Sequence, residues 1–418
     1  MKITDPGILE VNGRTLPFTA LKIDISPLSL IDWLEAQKIF PKVYWEEREG
    51  NIQRAALGNI LQFSQFPVIS PHSSPDARFF GGKEFNRETN DPLWDSFPSC
   101  SFWLPQFEMI QDNERTVLQI NQLSSEPNSN SLSALVFDIP QKESTFYDFE
   151  NRLDLPSFEQ WTQQIHLALD LMNQGLLNKV VLARQSQFSS TTPFSPLDLL
   201  KSLKQKVRRA TLFAFQINAS TAFIGATPEM LYKRHQNTIK IDALAGTAPC
   251  NAGDLLLSSP KEMKEFTYVK EFISDKMNPL CIKMDWEPKD RMLSTSYTQH
   301  IYNSLTATLK PLTSDRILIE TLHPTPALGG VPRMQALTFL EEHEPFSRGW
   351  YGSPIGWITS QEANIAVAIR SALIKDKQLT LFAGAGIVQG SEPDKEWEEL
   401  EQKITPFKQV IACTQAGV

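Results

Sequence analysis

The stretch Thr211–Leu244, TLFAFQINASTAFIGATPEMLYKRHQNTIKIDAL, decides the fold class. It holds three apolar, β-branched or aromatic runs: Thr211–Ile217, Thr221–Gly225 and Thr238–Leu244. Polar turns separate them, so they read as neighbouring strands joined by short connections. Upstream, Lys179–Arg184 (KVVLAR) reads as another strand. Before that strand, Ser157 and Gln160 form a capping-box pattern. Trp161, Ile165, Leu169 and Met172 then recur at helical spacing, and Gly175 supplies a stop. Downstream, Phe266, Val269, Phe272 and Ile273 share one face of a helix predicted over Lys261–Met277. Helices interleaved with closely connected strands point to an α+β (α/β) domain with sizeable antiparallel sheets.

The chain has 418 residues, 40 Lys+Arg and 48 Asp+Glu, a net charge of −8. Apolar residues make up 41% and charged residues 21%, an ordinary globular composition that excludes wholesale disorder. The acidic balance argues against a general nucleic-acid binder, though a basic pocket inside an acidic shell can take a small anion. Cys100, Cys250, Cys281 and Cys413 are widely spaced, without a disulfide or zinc pattern, which points to a reducing compartment. The N-terminal sequence shows no signal-peptide pattern, and no apolar run is long enough to span a membrane. The expectation is a cytoplasmic protein. Ser124–Ser131 (SSEPNSNS) and the polar stretch Gln141–Asp154 divide a less informative part, 1–150, from a motif-dense part, 151–418. In the first part, Arg115–Ile120 alternates as a strand does.

Several residues could carry chemistry. Lys179 shares a strand face with Val181 and Ala183. If that face is inward, desolvation disfavours a charged amine, and a neutral lysine can act as a general base; a strand-end lysine snorkelling to water fits the segment as well. Glu229 follows a turn bracketed by Gly225 and Pro228 and could be an acid, a ligand or a surface charge. Leu381–Ile387 (LFAGAGI) reads as a strand running into Gly384-Ala385-Gly386, small residues whose amides can approach an anion or form a tight turn. Ser391 reads as the cap of the next helix, on which Glu396, Glu399 and Lys403 share a face. Two carboxylates one turn apart suit Mg²⁺ or a solvated acidic surface. Arg370 ends an apolar run and is placed to clamp a carboxylate or to stand as a strand-end surface charge. His300 stands in Gln299-His300-Ile301.

In order and wording these pieces resemble the chorismate-utilising enzymes, the family of anthranilate synthase component I, isochorismate synthase and salicylate synthase. The matching segments are KVVLAR (179–184), FIGATPEML (223–231), ALAGTAP (243–249), QHIY (299–302), LHPTPALGGVPR (322–333), RGWYGSPIGW (348–357), VAIRSA (367–372) and AGAGIVQGSEPDKEWEELEQK (383–403). RFFGGKEF (78–85) and FWLPQFEM (102–109) match more loosely.

The resemblance implies one chorismate-binding domain over 1–418, with two packed antiparallel sheets flanked by helices. It implies Mg²⁺ held by Glu265, Glu396 and Glu399. Lys179 would activate water for attack at C2 of chorismate, and Glu229 would protonate the departing C4 hydroxyl. His300 would orient groups beside them. Ala245, Gly246, Thr247, Ala327, Leu328, Tyr351, Arg370, Gly384, Ala385, Gly386 and Lys403 would bind substrate. Lysine at 179 matches the water-using members rather than the ammonia users, which implies no amidotransferase subunit. Ala327 followed by Leu328 looks like the isochorismate synthases, whereas a threonine there is associated with salicylate formation. Phe266 departs from the histidine that the family often has at this point. The implied protein is a monomeric isomerase with chorismate as its partner and neither nucleic acid nor membrane. Its product would serve menaquinone, siderophore or salicylate synthesis. Salicylate synthase and a catalytically silent scaffold are the rival readings.

Overall fold

The three runs of the deciding stretch are strands, and the connection between the second and third carries the chain from one sheet to another. A computed structural model describes residues 2–3, 7–85, 91–125, 130–139, 147, 149–249, 255–296 and 298–413. Thr211–Gln216 and Thr221–Thr227 form a hairpin. Thr221–Thr227 pairs with Ser371–Lys375, that strand with Gln378–Val388, and that one with Lys179–Ser190. All belong to a fourteen-stranded sheet. Met230–His235 pairs instead with Thr238–Pro249 and Glu362–Val367, in a ten-stranded sheet. These pairings are antiparallel, as the short connections require for the two hairpins, Thr211–Thr227 and Met230–Pro249.

Two chain crossings between the sheets lie side by side. One runs from Thr227 to Met230 and holds Glu229; the other runs from Val367 to Ser371 and holds Arg370. The Val367 amide donates to the Glu229 carbonyl, and the Ala226 amide to the Arg370 carbonyl. Arg370 adopts φ = +53°, a conformation costly for a side chain with a Cβ and concentrated at functional sites.

Between the sheets lies an aromatic layer drawn from both, including Trp45, Phe80, Trp103, Phe213, Phe223, Trp350 and Phe382. Its rings meet edge to face or stacked, with centroids 5.2–5.9 Å apart for Trp94–Phe382, Trp103–Phe215 and Tyr351–Phe382. Strand alternation sorts Lys179–Ser190 as expected: Val180 and Leu182 enter the larger aliphatic core, and Ala183 joins the aromatic layer.

Strands from the first 150 residues are built into both sheets. Lys42–Glu46 pairs with Thr211–Gln216, and Phe79–Lys83 with Pro354–Ile358. The expected divide at Ser124–Ser131 falls partly outside the described residues. Among the described residues the longer helices, Phe158–Asn173, Pro196–Lys206, Pro260–Met277, Arg333–His343 and Pro393–Cys413, flank the sheets. The first has the full capping box of Ser157 and Gln160. Ser391 does not cap the last helix as predicted; its hydroxyl accepts from the Val388 amide and fixes the preceding turn. Among the described residues no helix is long and apolar enough to cross a membrane.

Candidate active site

The paired crossings, the strands beside them and the helices 260–277 and 393–413 enclose one cavity. Its space is ≈ 1000 Å³ including the open mouth, room for a single-ring ligand. Of the predicted site residues, Glu229, Ala245, Gly246, His300, Ala327, Leu328, Tyr351, Arg370, Gly384 and Gly386 line it. Glu265, Glu396, Glu399 and Lys403 do so as well. The Thr247 side chain lies outside the described residues.

Lys179 is fully buried, and its Nζ donates to Glu265 Oε1 at 2.5 Å. The snorkelling alternative is thereby excluded, because the ammonium ends at a carboxylate inside the protein. It lies against Gly386, where an added Cβ would stand 3.1 Å from Lys179 Cε and 3.3 Å from Glu265 Oε1. Likewise, a Cβ on Gly384 would meet Tyr351 Oη at 2.9 Å. Neither glycine has a positive φ; both stand within the strand Gln378–Val388. The predicted glycine turn is therefore an uninterrupted strand, and the glycines leave room for a lysine and a tyrosine. Ala385 alternates to the other face and packs in the aliphatic core, so its side chain does not reach the cavity and only its backbone could take part. We expect Gly386→Ala to lower kcat about tenfold or more by displacing Lys179. The melting temperature should hold, since alanine suits a strand at ordinary φ at least as well as glycine. An unchanged kcat in a steady-state assay would show that the lysine does not work from this position.

Glu229 is buried, and burial pushes its carboxyl up to about 7, with Lys179 and Lys403 opposing the rise and Asp242 adding to it. Thr227 Oγ1 accepts from the Glu229 amide at 3.2 Å. His300 is held at both nitrogens, by the Gly246 carbonyl at 3.0 Å and Thr298 Oγ1 at 2.9 Å. Burial, with Arg370 nearby, brings it down to about 3, so it is a neutral ring that secures the Gly246 turn. Gly246 has φ = +69° at a bulge between Ala245 and Ala248. Desolvation lowers the Arg370 guanidinium to about 10, which leaves it charged at neutral pH. Lys403 Nζ donates to the Gly384 carbonyl at 2.7 Å and to Glu399.

The predicted metal trio shares the cavity but is not gathered into a cluster. Among the described residues no three histidine, cysteine, aspartate or glutamate side chains stand close enough to hold an ion. Glu265 is turned to Lys179 and Glu399 to Lys403. The donor set nevertheless suits a hard divalent ion, because besides Glu229 on its crossing the acidic groups lining the cavity are four carboxylates carried by two helices, Glu262 and Glu265 on one and Glu396 and Glu399 on the other.

Sequence reasoning missed three contributors. Glu262, one turn before Glu265, lines the cavity beside Gly246; the i, i+3 spacing was the available signal. Arg348 is buried and donates to the Leu328 carbonyl at 3.0 Å and the Val181 carbonyl at 2.6 Å, while paired with Glu344. Arg48 donates to Asp242 at 2.5 Å and to the Pro228 carbonyl at 3.2 Å, bracing the turn that presents Glu229.

The model of the family described as chorismate binding enzyme matches residues 12–412. Isochorismate synthase MenF of Bacillus subtilis (strain 168) is 33% identical, over 95% of this chain and 94% of its own. The chloroplastic isochorismate synthase of Catharanthus roseus is 32% identical over 81% of this chain, which spans 62% of the plant protein. The solved structure of MenF, the menaquinone-specific isochorismate synthase from Escherichia coli, superposes with a TM-score of 0.84 at 25% identity, over 98% of this chain and 96% of that one.

Proposed function

The chain belongs to the chorismate-binding enzymes, and from that premise we propose that its cavity converts chorismate to isochorismate, an isomerase reaction. The observation that carries the reading is a buried carboxyl raised to about 7, Glu229, in the wall of a cavity that also holds Arg370 and Lys403, with the buried amine of Lys179 directly behind that wall, bonded to the lining residue Glu265 and packed against the lining residue Gly386. An amine and a carboxylic acid are groups that general acid–base catalysis can use as proton acceptor and proton donor.

In this reading Lys179 gives up its bond to Glu265 and takes a proton from water. The oxygen bonds to C2 of the ring, the ring double bonds shift, and the C4 hydroxyl leaves as water with the proton of Glu229. Arg370 and Lys403 hold the enolpyruvyl carboxylate, and Tyr351, Ala327 and Leu328 pack around the ring. Arg348 and Glu344 keep the Leu328 loop against the strand that starts at Lys179.

Magnesium fits the donor set. Glu265, Glu396 and Glu399, with Glu262 beside them, would hold it, and it supplies positive charge for the ring carboxylate where the carboxylates alone would repel a dianion. Glu399→Gln is expected to raise the Mg²⁺ concentration for half-maximal activity at least about tenfold; an unaltered metal titration would strike Glu399 from the ligand set.

Chromatographic identification of what the protein makes from chorismate, with and without Mg²⁺, tests the assignment. Isochorismate alone supports it. Salicylate with pyruvate would replace it by the elimination reaction, and no product by a silent binding protein.

A further inference from the structure

The active-site cavity adjoins a second, narrow one: Pro228, Arg370 and Lys403 line both. This second cavity shares Val207, Arg208 and Ala210 with a third, a broad surface basin. Six of the sixteen residues around the basin are Lys or Arg and three are Glu. The acids are already matched, Glu46 with Lys204, Glu47 with Lys233, and Glu49 with Arg48. Arg208, Arg209 and Lys240 are exposed, and among the described residues none has a carboxylate within ion-pair distance. Arg209 is presented at φ = +55°. A chain of net charge −8 thus carries a locally basic rim on the flank where Arg370 and Lys403 face the cavity.

The geometry points to this basin as the receiving site for the dianionic substrate: Arg208, Arg209 and Lys240 gather it, and Arg370 and Lys403 take the leading carboxylate. The inference rests on the reading of the cavity as a chorismate site. An acidic protein facing a dianion has a repulsive far field, and its active site adds four carboxylates, Glu262, Glu265, Glu396 and Glu399. A basic rim reverses that sign locally and raises the encounter rate, by 10–10³-fold in steered associations.

The experiment measures chorismate association by stopped-flow tryptophan fluorescence, with Mg²⁺ present, in a Glu229→Gln background so that turnover does not follow binding. Arg208→Glu/Arg209→Glu should slow association about tenfold at low salt. At about 0.5 M salt, where exposed charges are screened, the gap should close. With Glu229 intact, the same double reversal should leave saturating kcat unchanged. The control Arg14→Glu/Lys38→Glu makes the same change in net charge at other exposed positions. Equal rates in the rim variant and its parent, or an equal slowing in the control, would overturn the proposal. Failure of the underlying reading looks different: the wild-type protein would make no isochorismate.

Discussion

Lys179→Ala should lower kcat for isochorismate formation at least about 100-fold, and Lys179→Gln should do the same. The two variants answer different objections. Lys179 is fully buried and paired with Glu265, so alanine removes the base and also leaves a void and an uncompensated carboxylate. Breaking a buried pair on one side typically costs about 3–5 kcal/mol; the Glu265 side chain is 18% exposed, so the cost here lies below that range. Glutamine keeps most of the volume and can still donate to Glu265, but it takes no proton from water near neutral pH. A melting temperature for Lys179→Gln close to wild type, together with the loss of turnover, assigns the defect to proton transfer. Chromatographic initial rates decide the matter. Near-wild-type turnover in either variant would remove Lys179 from the reaction.

What the sequence made legible was periodic or local. Alternation in KVVLAR put Lys179 on one face with Val181 and Ala183 without saying which way that face points, and the capping box at Ser157 placed a helix start to the residue. The carboxylates at 396 and 399 were readable because helical spacing put them on one face. Local patterns failed where a neighbour distant in sequence decided the outcome. LFAGAGI looked like a strand breaking into a glycine turn, yet the strand continues because Val181 and Ala183 pair with Gly386 and Gly384 across some 200 residues of chain. The same pairing turns Ala385 away from the cavity. No local pattern gave Arg48 or Arg348 a role, which only the fold supplies by bringing them to the Pro228 and Val181 carbonyls. Ser391 carried a cap signature that Val388 uses instead. The two sheet crossings that set Glu229 beside Arg370 have no sequence marker beyond Pro228 and a non-glycine residue forced to positive φ.

Glu229→Gln should lower kcat by about 10²–10⁴-fold, the usual contribution of a general acid, and it should also change the shape of the pH profile. Burial pushes this carboxyl from an ordinary 4.5 up to about 7. The acid works only while protonated, so wild-type kcat/KM, which reports the free enzyme, should fall as pH rises through about 7. In the glutamine variant that descending limb should vanish, leaving a low rate that is flat across the same range. Stability gives an independent check with a definite sign. Between pH 4.5 and 7 the folded protein keeps a proton on Glu229 that the unfolded chain has lost. More protons bound to the folded state means that stability falls as pH rises. The contribution is therefore fully present below about 4.5 and gone above about 7. Glutamine has no proton to lose, so the variant should lack this part of the decline, and its stability relative to wild type should improve from pH 5 to about pH 7 and level off above it. Denaturant melts across that range measure the difference. Parallel stability curves together with an unmoved kcat/KM limb would show that the titrating group is not Glu229, and the assignment of the acid would have to pass to another residue of the cavity.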